Sequence, residues 1–159
     1  MDAAALPAIL AAIGARAAAA APDVANAMAF AYQRHLQDVT LTRYSHPPRT
    51  KTPSPPVTGT PALVTGTLRR SVRVDPAHGS GVAVARVAPH TVYARIQELG
   101  GHIYPVRARY LRWTEDGVVH YAKHVYLPER PYMGPAARDT IADGSLHRAA
   151  AAVCASVVM

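Results

Sequence analysis

Between Asp23 and Val39 the residues Val24, Met28, Ala31, Tyr32, His35, Leu36 and Val39 recur at helical spacing. That period predicts one amphipathic helix over about 23–39. Asn26, Gln33, Arg34 and Gln37 fall on its opposite side, the side expected to meet water. Upstream, residues 3–21 are so rich in alanine that propensity alone predicts a helix. Pro22 followed by Asp23 reads as a stop and a restart, with the proline at the N-terminus of the second helix.

The pattern changes at RYSHPPRTKTPSPPVTGTP, residues 43–61. Six prolines there rule out a helix and a central strand. An extended, polyproline-like arm over 43–62 is expected, held by a neighbouring subunit.

Alternation takes over after the arm. In VTGTLRRSVRV, residues 64–74, Thr65 and Gly66 suggest a turn, Thr67–Ser71 one helical turn, and Val72 and Val74 the start of a strand. DPAHGSG, 75–81, is a turn by composition, and Val82, Val84 and Val87 make a return strand. Tyr93–Leu99 is a short helix with Gly100 as its left-handed cap. A second hairpin is expected from Ile103–Trp113, the turn TEDG at 114–117, and Val118–Leu127, where Val119, Tyr121, Val125 and Leu127 would share a face. Pro128 and Pro131 end that strand. A last helix restarts near Gly134–Pro135 and runs to about Val158, bent at Asp143–Gly144. The expected fold is therefore α+β. An antiparallel sheet of two hairpins is packed by an N-terminal helix, a short middle helix and a C-terminal helix, with the long arm between. One domain is expected over 1–159, made of a helical segment 1–42, the arm 43–62 and a core 63–159.

Composition adjusts this picture in three ways. Half of the 159 residues are apolar but only 6% are aromatic, so a thin core that gains from burial against partner subunits is expected. The net charge is +7, from 17 Lys and Arg against 10 Asp and Glu, and only Lys51 and Lys123 are lysines. Such a surface favours acidic partners, and arginine suits planar two-pronged contacts. A GC-rich coding sequence raises Arg and Ala together and is a second source of the same excess. One cysteine, Cys154, permits no disulfide framework. Asp2 stands where a secretion signal has basic residues, and Arg16 interrupts the apolar run. That run is read as too short and too alanine-rich for a membrane span, and a helix packing closely on a neighbour is preferred.

Candidate chemistry is sparse. His120 and His124 share a strand face, but no third and fourth ligand follows at a recognisable spacing, so no metal or other cofactor is expected. No nucleophile elbow, phosphate loop or dinucleotide fingerprint occurs. Glu98, Glu115, Asp116 and Glu129 suggest no acid–base pair, and an enzyme is not expected. Arg43, Arg49, Lys51, Arg69 and Arg70 could touch phosphates, yet only Tyr44 among them offers a ring for a base to stack on. A basic nucleic-acid-binding module is the reading from a different class.

Three phrases carry a resemblance: TGTLRRSV (65–72), YARIQELGGHIYP (93–105) and HVYLPERPYMGPA (124–136). In that order they resemble the tail-completion, or neck, proteins that join head to tail in long-tailed bacteriophages. Thr65, Gly66, Leu68 and Ser71 fill the first motif of that family. Tyr93, Ala94, Glu98, Gly100 and Gly101 fill the second, and Pro128, Arg130, Pro131 and Tyr132 the third. The resemblance covers about 57–140. It implies a non-enzymatic virion protein, assembled in the bacterial cytoplasm, that forms a hexameric ring of itself. Its partners would be the head-closure or connector protein and the tail tube or terminator, with DNA in the lumen. A tail terminator or minor tail assembly protein is the neighbouring alternative. Arg43, Tyr44, Arg49, Lys51, Arg69, Arg70, Tyr93, Glu98, Arg130 and Tyr132 are the expected interface residues, with Glu98 pairing with Arg130 or Arg69.

Overall fold

A computed structural model of the chain describes residues 5–44, 59–115 and 117–158. Helix and strand are mixed in it: a long N-terminal helix, small antiparallel sheets and helices at the C-terminus. In chain order the elements are α1 (Ala5–Asp38), a 3-10 turn (Thr40–Thr42), α2 (Thr67–Ser71), β1 (Val72–Asp75) and β2 (Arg86–Pro89). Then come α3 (Ala94–Leu99), β3 (Gly101–Ile103), β4 (Leu111–Glu115), β5 (Val118–Ala122), β6 (Val125–Leu127), α4 (Met133–Ala142) and α5 (Ser145–Val158). Most of the arm, 45–58, lies outside the described residues.

The described residues divide into two compact units. The first holds the chain up to His35, Val72–Ala88 and the chain from Ala137 onward. Here α1 departs from expectation: it does not stop at Pro22 but runs through it. A proline inside a helix leaves the carbonyl four residues earlier without its donor, and here that carbonyl belongs to Ala18. The backbone N–H of Gly81 donates to it at 2.9 Å, so the missing bond is replaced from the β1–β2 loop. The continuous helix also overturns the length argument made against a membrane span. By length and composition Pro7–Thr42 is long enough and apolar enough to cross one, a test that core helices also pass.

On the polar side of α1 Arg34 is exposed as expected, but the amides are engaged inside the chain. Asn26 donates to the Ala77 carbonyl at 3.2 Å and accepts from the Ala77 N–H at 2.7 Å. Seven residues on, Gln33 donates to the Val72 carbonyl at 2.8 Å. These amides satisfy backbone groups of β1 and of the loop that follows it. The expected return strand is also displaced. β2 begins at Arg86, and Val82 and Val84 sit exposed in the connecting loop. Alanines 20, 29 and 77 are buried in this unit with Val72 and Thr140. An open apolar cavity of about 540 Å³ lies among Met28, Tyr32, Val84, Val87 and Leu146.

The expected bend at Asp143–Gly144 is a full break between α4 and α5. Gly144 has φ +71, and the Asp143 carboxylate accepts from the Ser145 N–H at 2.7 Å, capping α5. Those Ser145 hydrogen bonds, ahead of weaker help from Arg148 and His35, hold the Asp143 carboxyl below its ordinary value.

The second unit holds Leu36–Ser71 and Pro89–Ala136. Buried in it are Leu36, Leu41, Ala94, Tyr132 and Ala136, with Thr40, Gly59, Thr60 and Pro61. The two long strands expected here are each broken. β3 pairs antiparallel with β6 through Gly101↔Leu127, His102↔Tyr126 and Ile103↔Val125. β4 pairs with β5 from Leu111↔Ala122 to Glu115↔Val118, and Gly117, just before β5, has φ +80. Pro105 and the run Arg107–Tyr110 separate β3 from β4, and Lys123–His124 separate β5 from β6. Consequently Val119 and Tyr121 are exposed while Val125 and Leu127 are half-buried, so the four residues form no common buried face.

Candidate functional site

The second and third motifs meet within the second unit, and Glu98 is where they join. Its carboxylate accepts from the N–H of Tyr132 at 2.7 Å, of Met133 at 3.0 Å and of Gly134 at 3.4 Å. These are the donors at the N-terminus of α4 that no carbonyl within the helix can serve. Residue 135 is a proline and has no N–H to satisfy. Glu98 therefore caps α4 from α3, where a negative charge also complements the helix dipole. It pairs with neither Arg130 nor Arg69, the partners expected for it.

The rest of the join is backbone and packing. The Arg130 N–H donates to the Gln97 carbonyl at 2.8 Å. Tyr132 is fully buried, and its hydroxyl donates to the Ala94 carbonyl at 3.4 Å. Gly100 has φ +65 and ψ −172, a region open in practice only to glycine. That differs from the left-handed cap expected of it. The reason is close approach: a Cβ there would sit 2.6 Å from the Glu129 nitrogen and 2.9 Å from the Leu127 oxygen.

The first motif is tied to the end of α1. The Arg69 guanidinium donates to the Gln37 carbonyl and, at 2.7 Å, to the Asp38 carboxylate. Gln37 answers by donating to the Arg69 carbonyl at 3.1 Å. Residue Ser71 donates to the Leu68 carbonyl at 2.7 Å, and Thr65 and Thr67 share a hydroxyl bond at 2.9 Å. A cavity of about 150 Å³ is lined by Leu41, Pro61, Leu63, Leu68, Tyr93 and Gln97, so residues of the first two motifs face one small space.

Of the expected interface residues, Glu98 and Tyr132 are thus engaged inside the chain. Arg69 is engaged with α1, although part of its side chain remains exposed. Half-buried Arg130 has its Nε enclosed without a hydrogen-bond partner, and burial lowers its guanidinium from the ordinary value. Residues Arg43, Tyr44, Arg70 and Tyr93 are exposed, while Arg49 and Lys51 lie outside the described residues. Tyr44 accepts from the Leu63 N–H at 2.6 Å. His120 and His124 do not converge: His120 stacks on Trp113, and His124 lies beside His102. Among the described residues no group of three or more His, Cys, Asp or Glu side chains is placed to hold a metal.

The residues missed in the sequence are the amides. Asn26, Gln33 and Gln37 are spaced i, i+7 and i+11, a single helical stripe, and that regularity was the available signal.

The chain matches no protein-family model, no curated protein and no solved structure.

Proposed function

We propose that the chain is a structural subunit of the neck or tail of a long-tailed bacteriophage, working by fitting between copies of itself and its neighbours. One observation supports this reading above the rest: few large side chains are enclosed and many are offered. Tyr132, Leu36 and Val72 are the large apolar side chains fully buried among the described residues. Ile9, Leu10, Ile13, Phe30, Val82, Val92 and Val106 are exposed, Val92 and Val106 almost completely. Exposed apolar area on this scale is the mark of a surface that another chain covers. The interlock of the second and third motifs through Glu98 agrees with their acting as one unit. In this reading Arg43, Tyr44, Arg70 and Tyr93 belong to the contact surface, and the proline-rich arm straps an adjacent subunit in a closed hexameric ring. Its nearest alternative is a terminator that caps the tail tube.

Mass photometry of the purified chain, with electron microscopy of mixtures with tail tubes and with DNA-filled heads, tests the reading. A closed ring docking on the head connector is expected. Docking on tube ends alone would favour the terminator. A monomer that joins neither would end the proposal. Removing residues 47–57 leaves the buried Gly59, Thr60 and Pro61 in place, and is expected to give folded chains that no longer join heads to tails.

A further inference from the structure

One face of the β3–β6 pair carries four rings side by side. His102 lies opposite Tyr126 in the ladder, ring centroids 5.1 Å apart. Tyr104 and His124 continue the two strands by one side-chain period, on the same face, with centroids 5.7 Å apart. His102 is also 6.1 Å from Tyr104 and 5.4 Å from His124. All four residues are exposed, Tyr104 at 62% and Tyr126 at 61%. Folding gains little from rings left in water, so the pattern asks for a ligand.

The chemistry around the rings selects one. In the sequence from Gly101 to Leu127 the cations are Arg107, Arg109, Arg112 and Lys123, against the two carboxylates Glu115 and Asp116. The aliphatic neighbours Ile103 and Val125 alternate with the rings and fall on the opposite face. Four exposed rings in a stretch with more cations than carboxylates differ from a protein-docking patch, whose core is depleted of charge and mixes aromatic with aliphatic anchors. They match what unpaired bases on a phosphate backbone require. Duplex DNA keeps its bases stacked on one another and offers such rings nothing.

We propose that this face binds single-stranded nucleic acid, with bases stacking on Tyr104 and Tyr126 and the flanking cations neutralising phosphates. The proposal does not rest on the ring reading and fails or survives separately from it.

The test is fluorescence anisotropy of the full chain with labelled single-stranded oligo(dT), with a duplex of equal length and with polyglutamate. Each is measured at about 50 and about 200 mM salt. Single-strand binding that weakens with salt is expected. The double variant Tyr104→Ala/Tyr126→Ala should weaken it about tenfold or more, whereas Tyr104→Phe/Tyr126→Phe should leave it intact. The circular dichroism spectrum of each variant should match that of the parent. Should the alanine pair misfold, each single alanine variant carries the same test at about fivefold or more. No binding to oligo(dT), binding that ignores loss of the tyrosine rings, or polyglutamate binding with the same tyrosine dependence would each overturn the proposal.

Discussion

The Gly81 N–H donates to the carbonyl of Ala18, the one group in α1 that Pro22 leaves without a donor. A loop and a helix defect are therefore matched to each other across sixty-odd residues of sequence. Pro22→Ala restores the local N–H and draws the Ala18 carbonyl back toward the helix axis. The variant should gain up to about 3 kcal/mol of helix propensity, and the Gly81 amide should exchange faster with solvent. Hydrogen exchange checks it: an unchanged Gly81 rate would mean that the loop is held by something else.

Glu98 serves three N–H groups at once, and Pro135 leaves no fourth donor to rearrange. Glu98→Ala should cost about 1–3 kcal/mol in urea unfolding. Glu98→Gln keeps one acceptor oxygen and should recover part of that. A loss below about 0.5 kcal/mol for alanine would show that water replaces the cap without penalty.

Tyr132 separates packing from hydrogen bonding. Its ring is fully buried while its hydroxyl bond to Ala94 is long at 3.4 Å. Tyr132→Phe should therefore cost no more than about 1 kcal/mol, and Tyr132→Ala about 3–5 kcal/mol. Equal losses would reverse that ranking.

Gly100 admits no Cβ. The backbone conformation alone should cost an alanine about 1–3 kcal/mol, and its contact with the Glu129 nitrogen adds to this. Gly79 has open space around it despite φ +94, so Gly79→Ala bears the conformational part only. Thermal unfolding of the two variants should rank Gly100→Ala well below Gly79→Ala.

The Asp143 carboxyl is held below its ordinary value by the Ser145 hydrogen bonds. A carboxyl with a lowered folded value stabilises above its unfolded value and loses that contribution as pH falls through the folded one. The cap on α5 should hold from neutral pH down to about 4 and fade below it. Asp143→Asn should then sit below the parent in Tm at pH 6, by a margin that narrows as pH falls below the ordinary aspartate range. A constant difference across that range would assign the cap no titrating part.

What could be read from the sequence was local. The turn at Thr67–Ser71, the short helix ending at Leu99 and the break at Asp143–Gly144 follow from spacing, propensity and glycine placement within a few residues. What could not be read depends on residues far apart in the chain. Pro22 looked like a stop because its remedy lies in the loop at Gly81. Asn26 and Gln33 looked solvated because the carbonyls and amides they serve belong to β1 and the residues just after it. Glu98 was given an arginine because charge suggests a pair, whereas three backbone donors at the head of α4 were available only once the chain had folded. The strands were drawn too long because alternation runs on through Tyr104–Tyr110 although the ladder does not.

The bond from Leu63 N–H to the Tyr44 carbonyl brings both borders of the proline-rich insertion to one spot. Whatever length of polypeptide nature places between those borders, the remainder of the molecule receives it through the same gate. Each doubling of that length adds only about 0.6 kcal/mol of closure entropy. A longer, shorter or exchanged piece should therefore leave everything on the other side of the gate as it is.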